Sequence, residues 1–468
     1  MSFNLVVCMD SFYNGSMQNA VLIFNARLVD ANTDKKNSAV LLANGKIKSF
    51  PDKASLKKLL NDDSISKLDA KGLCVLPSFI DMHSHFRDPG LTQKEDIETG
   101  SSAAAAGGFS TCVLMPNTNP VVSSQEQAEV NNKKAFEFGR CRTIQAVSIT
   151  KNFDGKTISH LESLDQKKVP VISEDGKEVC SSSVMLEAMK IAAKKKIVVS
   201  CHCEDSFLAE SARPFRKAAL ELLSKENISP AEKKEAANNL RKADSLLACA
   251  EDTATFRNLR LAKDAGCHIH LCHVSTAACV EAAKKARQEG VDVTFEITPH
   301  HIFMNGEKAP GIFNIVNPPL RSENDRLALI QALKDGSANC IATDHAPHTA
   351  LDKKNGSPGF SGLETAFSAC YTMLVKEHGM SLKKLSELMS ANPARILGLK
   401  NEGLLKEGFA ANLVLVDLER QWTVRGQKFA SKGKFTPLEG KKLFGFIKET
   451  FFNGNIVFFI IVTVIFFW

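Results

Sequence analysis

Between residues 79 and 343, short apolar runs with strand character alternate eight times with longer helix-like stretches. The runs are Phe79–His83, Ser110–Met115, Thr143–Ser148, Pro170–Ser173, Ile197–Cys201, His268–Cys272, Val293–Ile297 and Asn339–Thr343. Among the stretches between them are Ile97–Ala106, Ser183–Lys194, Thr253–Ala265, Ala277–Gln288 and Asp325–Leu333. Alternation of this kind calls for βα units and a parallel sheet. Eight such units predict an α/β fold of the TIM (β/α)8 barrel type. A doubly wound open sheet is the alternative. No G-x-G-x-x-G follows any of the runs, and no Walker motif occurs.

The flanks have a different texture. Val21–Phe24, Ala39–Leu42 and Leu73–Pro77 read as strands, with a helical patch at Ala54–Leu60 and a hairpin signal at Asn44-Gly45. Ala411–Asp417 and Phe451–Phe458 match them at the other end. The two ends are therefore expected to share one small composite β domain. The expected division is residues 1–76 and 399–458 for that domain, 77–398 for the barrel, and 459–468 for an apolar tail.

Composition narrows the class. The 468 residues are 44% hydrophobic and 24% charged, as in soluble globular proteins. The net charge of +7 is spread over Lys-rich and Lys/Glu-rich helical stretches without interleaved aromatics, so no nucleic-acid partner is expected. Thirteen cysteines fall without regular spacing, several inside apolar runs, which points to reduced thiols in a cytoplasmic protein. The run Leu5–Cys8 is too short for a signal peptide, and no basic segment precedes it. The apolar run Ile456–Trp468 is shorter than the roughly 17 residues a membrane span needs. It reads as a last strand with an apolar overrun or a sequence artefact, ahead of a membrane contact.

In a barrel of this kind, catalytic groups gather at the C-terminal ends of the strands. The first run ends in His83 and His85, which share one face of an extended strand. Two such imidazoles can chelate a divalent metal, and by itself the pair is equally compatible with a surface strand. Asp175 follows the fourth run, His202 the fifth, His273 the sixth and Asp344 the eighth. Four histidines and two carboxylates at one end of a barrel form a donor set for one or two divalent ions. His268 and His270 have the opposite phase to His273 and are expected to face the helices. His300 and His301 end the seventh run and are read as structural, with one of them possible at the site. His345 is expected to help orient a carboxylate.

Six motifs in order carry a family resemblance: His83-Ser-His-Phe-Arg-Asp-Pro-Gly90, Met115-Pro-Asn-Thr118, Cys272-His-Val-Ser-Thr276, Asn317-Pro-Pro-Leu-Arg321, Ala342-Thr-Asp-His-Ala-Pro-His348 and Gly362-Leu-Glu-Thr-Ala-Phe367. Together they resemble the dihydroorotases, barrel-type amidohydrolases of the bacterial branch that uses a bridging aspartate. The likeness runs from about Val21 to Phe458. It implies that His83, His85, Asp175, His202 and His273 hold one or two zinc ions, with Asp175 bridging and Asp344 beside the metal. It also implies reversible cyclisation of N-carbamoyl-L-aspartate to dihydroorotate in pyrimidine biosynthesis, with a metal-activated hydroxide as nucleophile and Asp344 as proton shuttle. Arg87, Asn117 and His348 match the family's substrate-binding positions together with His85. Asn317 matches its pyrimidine-edge contact and Pro358-Gly359 its last binding position.

The resemblance implies a homo-oligomer and leaves room for association with aspartate transcarbamoylase. Alternatives are an allantoinase-like or dihydropyrimidinase-like enzyme, or an inactive homologue acting as a scaffold for that transcarbamoylase. Asp175, where those enzymes usually carry a carboxylated lysine, and Arg87 speak against the first. The complete ligand set speaks against the second. Departures from the family pattern are Ser78 in place of glycine, with strain expected if its φ is positive, and Asp88 in place of glutamate. Glu174 beside Asp175 leaves two acids to choose from. The polar stretch from His348 to Gly362 reads as a mobile loop able to cover the site, or as a solvated linker.

Overall fold

The computed structural model describes residues 20–306 and 315–460. Both ends of the described chain enter one eight-stranded sheet, in the order Asn455–Phe459, Lys442–Phe452, Leu413–Thr423, Cys74–Pro77, Ala20–Val29, Asp34–Ala43 and Lys46–Ser49, with Ser66–Asp69 paired to Ala20–Val29. Two hairpins close tightly because Asn44-Gly45 and Asn453-Gly454 take φ of 52° and 72°, and 50° and 80°, a pair of left-handed residues that suits Asn-Gly. Leu413–Val416 pairs antiparallel with Cys74–Pro77, so the strand that leads into the barrel is held by the one that follows it. The end of the tail, beyond residue 460, lies outside the described residues, as does the segment before residue 20; Asn455–Phe459 is a regular edge strand.

The barrel strands are Phe79–Ser84, Phe109–Leu114, Arg142–Gln145 continuing into Val147–Ser148, Val171–Ser173, Val198–Cys201, Ile269–Leu271, Val293–Ile297 and Cys340–Ile341, each parallel to the next in the ladders that join them. A parallel bridge between Ser84 and His345 joins the first strand to the eighth and closes the ring. Asp81 tightens that seam: its carboxylate accepts from the Thr343 amide at 2.8 Å and the Thr343 hydroxyl at 2.6 Å.

Alternation along the strands separates two apolar layers. Ile80, Met82, Val113, Met115, Ile144, Ala146, Val171, Val198, Cys340 and Ala342 form one cluster, in the barrel. Phe79, Cys112, Leu114, Ile172, Val199, Ile269 and Leu271 belong to the larger core shared with the alanine-rich helices Ile97–Ala106, Ser182–Lys195 and Ala277–Gln288. Small alanines let these helices approach the sheet closely.

Three expectations need correction. Ile269 and Leu271 face the helices, so His270 lies on the inner side of the barrel, against Glu296. His273 reaches the same interior because the chain leaves strand geometry after Leu271, with φ of 33° at His273. Second, Ser78 is not among the residues with positive φ; its hydroxyl pairs with Ser110, and the expected strain is absent. Third, the stretch after His348 holds a short helix, Ala350–Lys354, capped by Thr349 and Asp352. The buried Lys353 ammonium donates to the carbonyls of Ser357 (2.9 Å), Gly359 (2.8 Å) and Ile315 (3.3 Å), which fixes that segment from within.

The sequence also understated one insertion. Ser206–Leu223 and Pro230–Ala265 form a helix pair between the fifth and sixth strands. The second helix begins at a Ser229/Glu232 capping box and ends at Gly266 with φ of 64°.

Gly90 sits in the loop that carries Arg87, at φ of 85°, where an added Cβ would lie 1.7 Å from the Asn119 carbonyl oxygen. Gly90→Ala is expected to destabilise the protein by on the order of 3 kcal/mol. A thermal melt checks this, and an unchanged midpoint would show that the two loops can separate freely.

Candidate active site

The site is built around one carboxylate. Asp175 follows the fourth strand, and its Oδ1 lies 3.3 Å from His83 Nε2, 3.4 Å from His202 Nδ1 and 3.9 Å from His273 Nε2. Its Oδ2 lies 3.5 Å from His85 Nε2. Asp344 Oδ1 completes the cluster at 3.2 Å from His85 Nε2 and 3.6 Å from His83 Nε2. All six side chains are buried. The strand ends thus bring together every metal-ligand candidate named from the sequence. Glu174 is not among them: it turns away to accept from the Thr150 amide and hydroxyl.

The donor atoms fit a divalent cation. His83, His85 and Asp175, and separately Asp175, His202 and His273, each present three ligand atoms within 4.8 Å of one another. His83 Nε2 and Asp175 Oδ1 are fully buried and among the described residues have no hydrogen-bond partner, an arrangement too costly to keep unless another group satisfies both. Burial alone would raise the Asp175 carboxyl, but His83, His202 and His85 hold it well below the usual carboxylate range. Asp344 behaves alike, burial being outweighed by His85 and His83. Both are therefore held as carboxylates at neutral pH.

A second layer fixes the imidazoles. Glu296 Oε1 lies 2.8 Å from His83 Nδ1 and accepts from the His273 amide at 3.1 Å, while Oε2 lies 3.0 Å from His270 Nε2. Burial pushes this carboxyl up, and the pull of His83 and His270 brings it down to about 2. Cys272 is also close, so His83, Cys272 and Glu296 form a further buried group of donors. Asn117 Oδ1 lies 2.9 Å from His85 Nδ1, and its Nδ2 donates to Asp175 Oδ2 at 3.2 Å. Asn117 therefore bridges two ligand candidates. His345 turns its ring towards Glu95, with Nε2 to Oε2 at 3.4 Å, and accepts from the Gly362 amide at Nδ1. It braces the loop after the eighth strand and does not touch the Asp344 carboxylate.

The remaining candidates lie around this cluster. Arg87, at φ of 59°, places Nη2 3.5 Å from His348 Nε2. Among the described residues no carboxylate lies within ion-pair distance of Arg87, and its Nε is buried without a partner. His348 Nε2 donates to the Pro358 carbonyl at 2.8 Å, so Arg87, His348 and Pro358-Gly359 are adjacent. Burial and then Arg87 push the His348 imidazole down to about 3, which keeps it neutral. Asn317 Nδ2 donates to Glu204 Oε2 at 2.8 Å and lies 3.4 Å from His202 Nε2.

Sequence reasoning missed Glu296, Asp81, Glu95 and Glu204. A signal existed for the first two, since each is an acid within an apolar strand run, where an unpaired charge does not persist. Glu95 and Glu204 sit in polar loops and carry no such mark.

Comparison with known proteins agrees with the geometry. The model of the amidohydrolase family matches residues 74–457. Among solved structures, the L-hydantoinase (dihydropyrimidinase) of Arthrobacter aurescens superposes with a TM-score of 0.80 at 25% identity, covering 95% of this chain and 97% of its own. A dihydropyrimidinase from Brevibacillus agri NCHU1002 shares the fold, with a TM-score of 0.76 at 21% identity and coverage of 93% and 94%. A dihydroorotase of Clostridium botulinum (strain Eklund 17B / Type B) is 41% identical over 437 residues, 93% of this chain and 98% of that protein. One from Bacillus subtilis (strain 168) is 36% identical over 443 residues, with coverage of 93% and 98%. The chain belongs to the amidohydrolase family and, within it, to the dihydroorotases.

Because Glu296 orients His83 and the His273 backbone together, Glu296→Gln is expected to weaken metal binding by about 10- to 100-fold. Competition with a chromogenic chelator measures this; unchanged affinity would show that the barrel alone sets the ligand directions.

Proposed function

We propose that this protein is a zinc-dependent dihydroorotase that interconverts dihydroorotate and N-carbamoyl-L-aspartate. The observation that carries the reading is the pairing of two features. A buried, Asp175-centred histidine cluster adjoins an arginine that lacks a carboxylate of its own, and a ureide carrying a free carboxylate needs both. When bound, zinc polarises the scissile carbonyl and makes water a better nucleophile. His83, His85, Asp175, His202 and His273 would hold it as one or two ions, with Asp175 shared.

The chain's own residues do the rest. Arg87 offers a planar fork to the substrate carboxylate, and His348, neutral and anchored to Pro358, adds a polar neighbour to that pocket. Asn317 and the backbone of Pro358-Gly359 contact the ring. Burial of the cluster excludes bulk water and strengthens each of these interactions. Asp344, an ionised carboxylate at the strand end, takes one proton from the attacking water. The C–N bond of the ring then breaks, and Asp344 returns the proton to the departing nitrogen. In the cyclising direction the same carboxyl group runs the transfer backwards.

The twelve cysteines among the described residues are all unpaired, in keeping with a cytoplasmic setting. Among the described residues no helix is long and apolar enough to cross a membrane. A dihydropyrimidinase-like activity has the fold in its favour and Arg87 against it, since a neutral cyclic amide leaves that charge unused.

The test is ring opening of dihydroorotate by purified, metal-quantified protein, with allantoin and dihydrouracil alongside. Turnover of dihydroorotate alone, lost on chelation and restored by zinc, is expected. Bound metal without turnover of dihydroorotate would overturn the proposal. Asp344→Asn is expected to retain metal while turnover falls roughly 10²- to 10⁴-fold; loss of metal together with activity would make Asp344 mainly a ligand. Arg87→Lys is expected to raise KM about tenfold, because an ammonium cannot form the paired contact. An unchanged KM would remove Arg87 from the carboxylate pocket.

A further inference from the structure

Two adjacent histidines follow the seventh barrel strand, in the short helix Pro299–Phe303, and their surroundings are opposite. His301 is fully engaged. Its Nδ1 lies 2.7 Å from the Thr298 hydroxyl, and its Nε2 lies 3.2 Å from the carbonyl oxygens of both Pro318 and Pro319. It ties the end of the strand to the segment that begins at Asn317. His300 is equally buried, at 2% exposure, yet among the described residues neither of its ring nitrogens has a hydrogen-bond partner.

The position of His300 gives this a direction. Its ring packs edge-on against Phe360 at 5.0 Å between centroids and beside His301 at 4.5 Å. Its two ring neighbours are thus Phe360, which follows Pro358-Gly359, and His301, which is tied to Pro318 and Pro319, and these belong to the two segments assigned above to ring contacts. The charged and titratable groups close enough to act on it include His301, Asp344, His273 and His83, so it lies near the candidate catalytic cluster. Burial, reinforced by His301, holds it well below the usual histidine range, so it is a neutral imidazole with one N–H and one lone pair.

A buried polar nitrogen left unpaired is destabilising, and a phenyl ring would fill the same space without that cost. Packing therefore explains the shape of His300 but not its nitrogens. We propose that His300 is a substrate-binding residue that donates its imidazole N–H to a carbonyl oxygen of the cyclic ureide. This assignment rests on the dihydroorotase reading and adds to it a polar contact from the seventh strand, which otherwise supplies only the supporting Glu296.

The experiment compares two variants in the full-length, metal-loaded protein. His300→Phe keeps the ring packing and removes both nitrogens, whereas His300→Asn restores an N–H donor. For ring opening of dihydroorotate, His300→Phe is expected to raise KM by about tenfold, the worth of one hydrogen bond. Its kcat should stay within about threefold, with metal content unchanged, and His300→Asn should recover part of the loss. A KM for His300→Phe within about twofold of wild type, with an equal or higher melting temperature, would overturn the assignment and make His300 a packing group or the neighbour of a buried water. A drop in metal content that parallels the loss of activity would overturn it as well, by placing His300 in support of the cluster. Absence of dihydroorotate turnover in the wild-type protein would overturn the underlying reading itself, and that result is visible before any variant is made.

Discussion

Asp175 stands inside a ring of imidazoles from three other strands, shut off from water, with one oxygen unpartnered. A carboxylate in that position is unfavourable unless positive charge meets it, because the desolvation cost of a buried ion amounts to several kcal/mol. Histidines offset part of this cost, and a cation placed between them offsets more. The rest of the fold follows from keeping these groups convergent. Eight parallel strands deliver them to one end, the Asp81–Thr343 contact locks the first strand to the eighth, and Glu296 holds His83 and the His273 backbone from beneath.

Convergence requires local departures from regular geometry, and three of them occur at candidate site residues. Arg87, His273 and Asp344 have φ of 59°, 33° and 47°, a region that residues with a Cβ seldom adopt. Each directly follows the end of a strand or its polar extension, and the turn redirects a side chain into the cluster. Conformations of this kind persist only where the surroundings overdetermine them. Here the surroundings are the barrel seam, the loop packing at Gly90 and Asn119, and the capped helix anchored by Lys353.

The barrel was readable in the sequence because alternation between short apolar runs and alanine-rich stretches is a direct imprint of strand and helix burial. Ile97–Ala106 and Ala277–Gln288 match the helices found, for example. The residues that converge at the candidate site were readable because a polar side chain closing an apolar run marks a strand end. Strand phase failed at the sixth strand. The two-residue period places His270 against the helices, whereas it lies inside the barrel, because a backbone turn rather than strand phase aims His273. The Pro230–Ala265 helix was only partly read because its exposed half carries a Lys/Glu-rich pattern with little apolar face. The supporting acids Glu95 and Glu204 have no local signature, since their roles depend on partners 250 and 113 residues away in the chain.

The central claim is that Asp175 and the four histidines exist to hold metal between them. Diffraction from zinc-loaded crystals, with data collected on both sides of the zinc absorption edge, tests it most directly. Anomalous density is expected beside Asp175, between it and the His83–His85 pair, the His202–His273 pair, or both. Zinc-replete crystals with no anomalous density at that carboxylate, or with density only elsewhere in the molecule, would contradict the account.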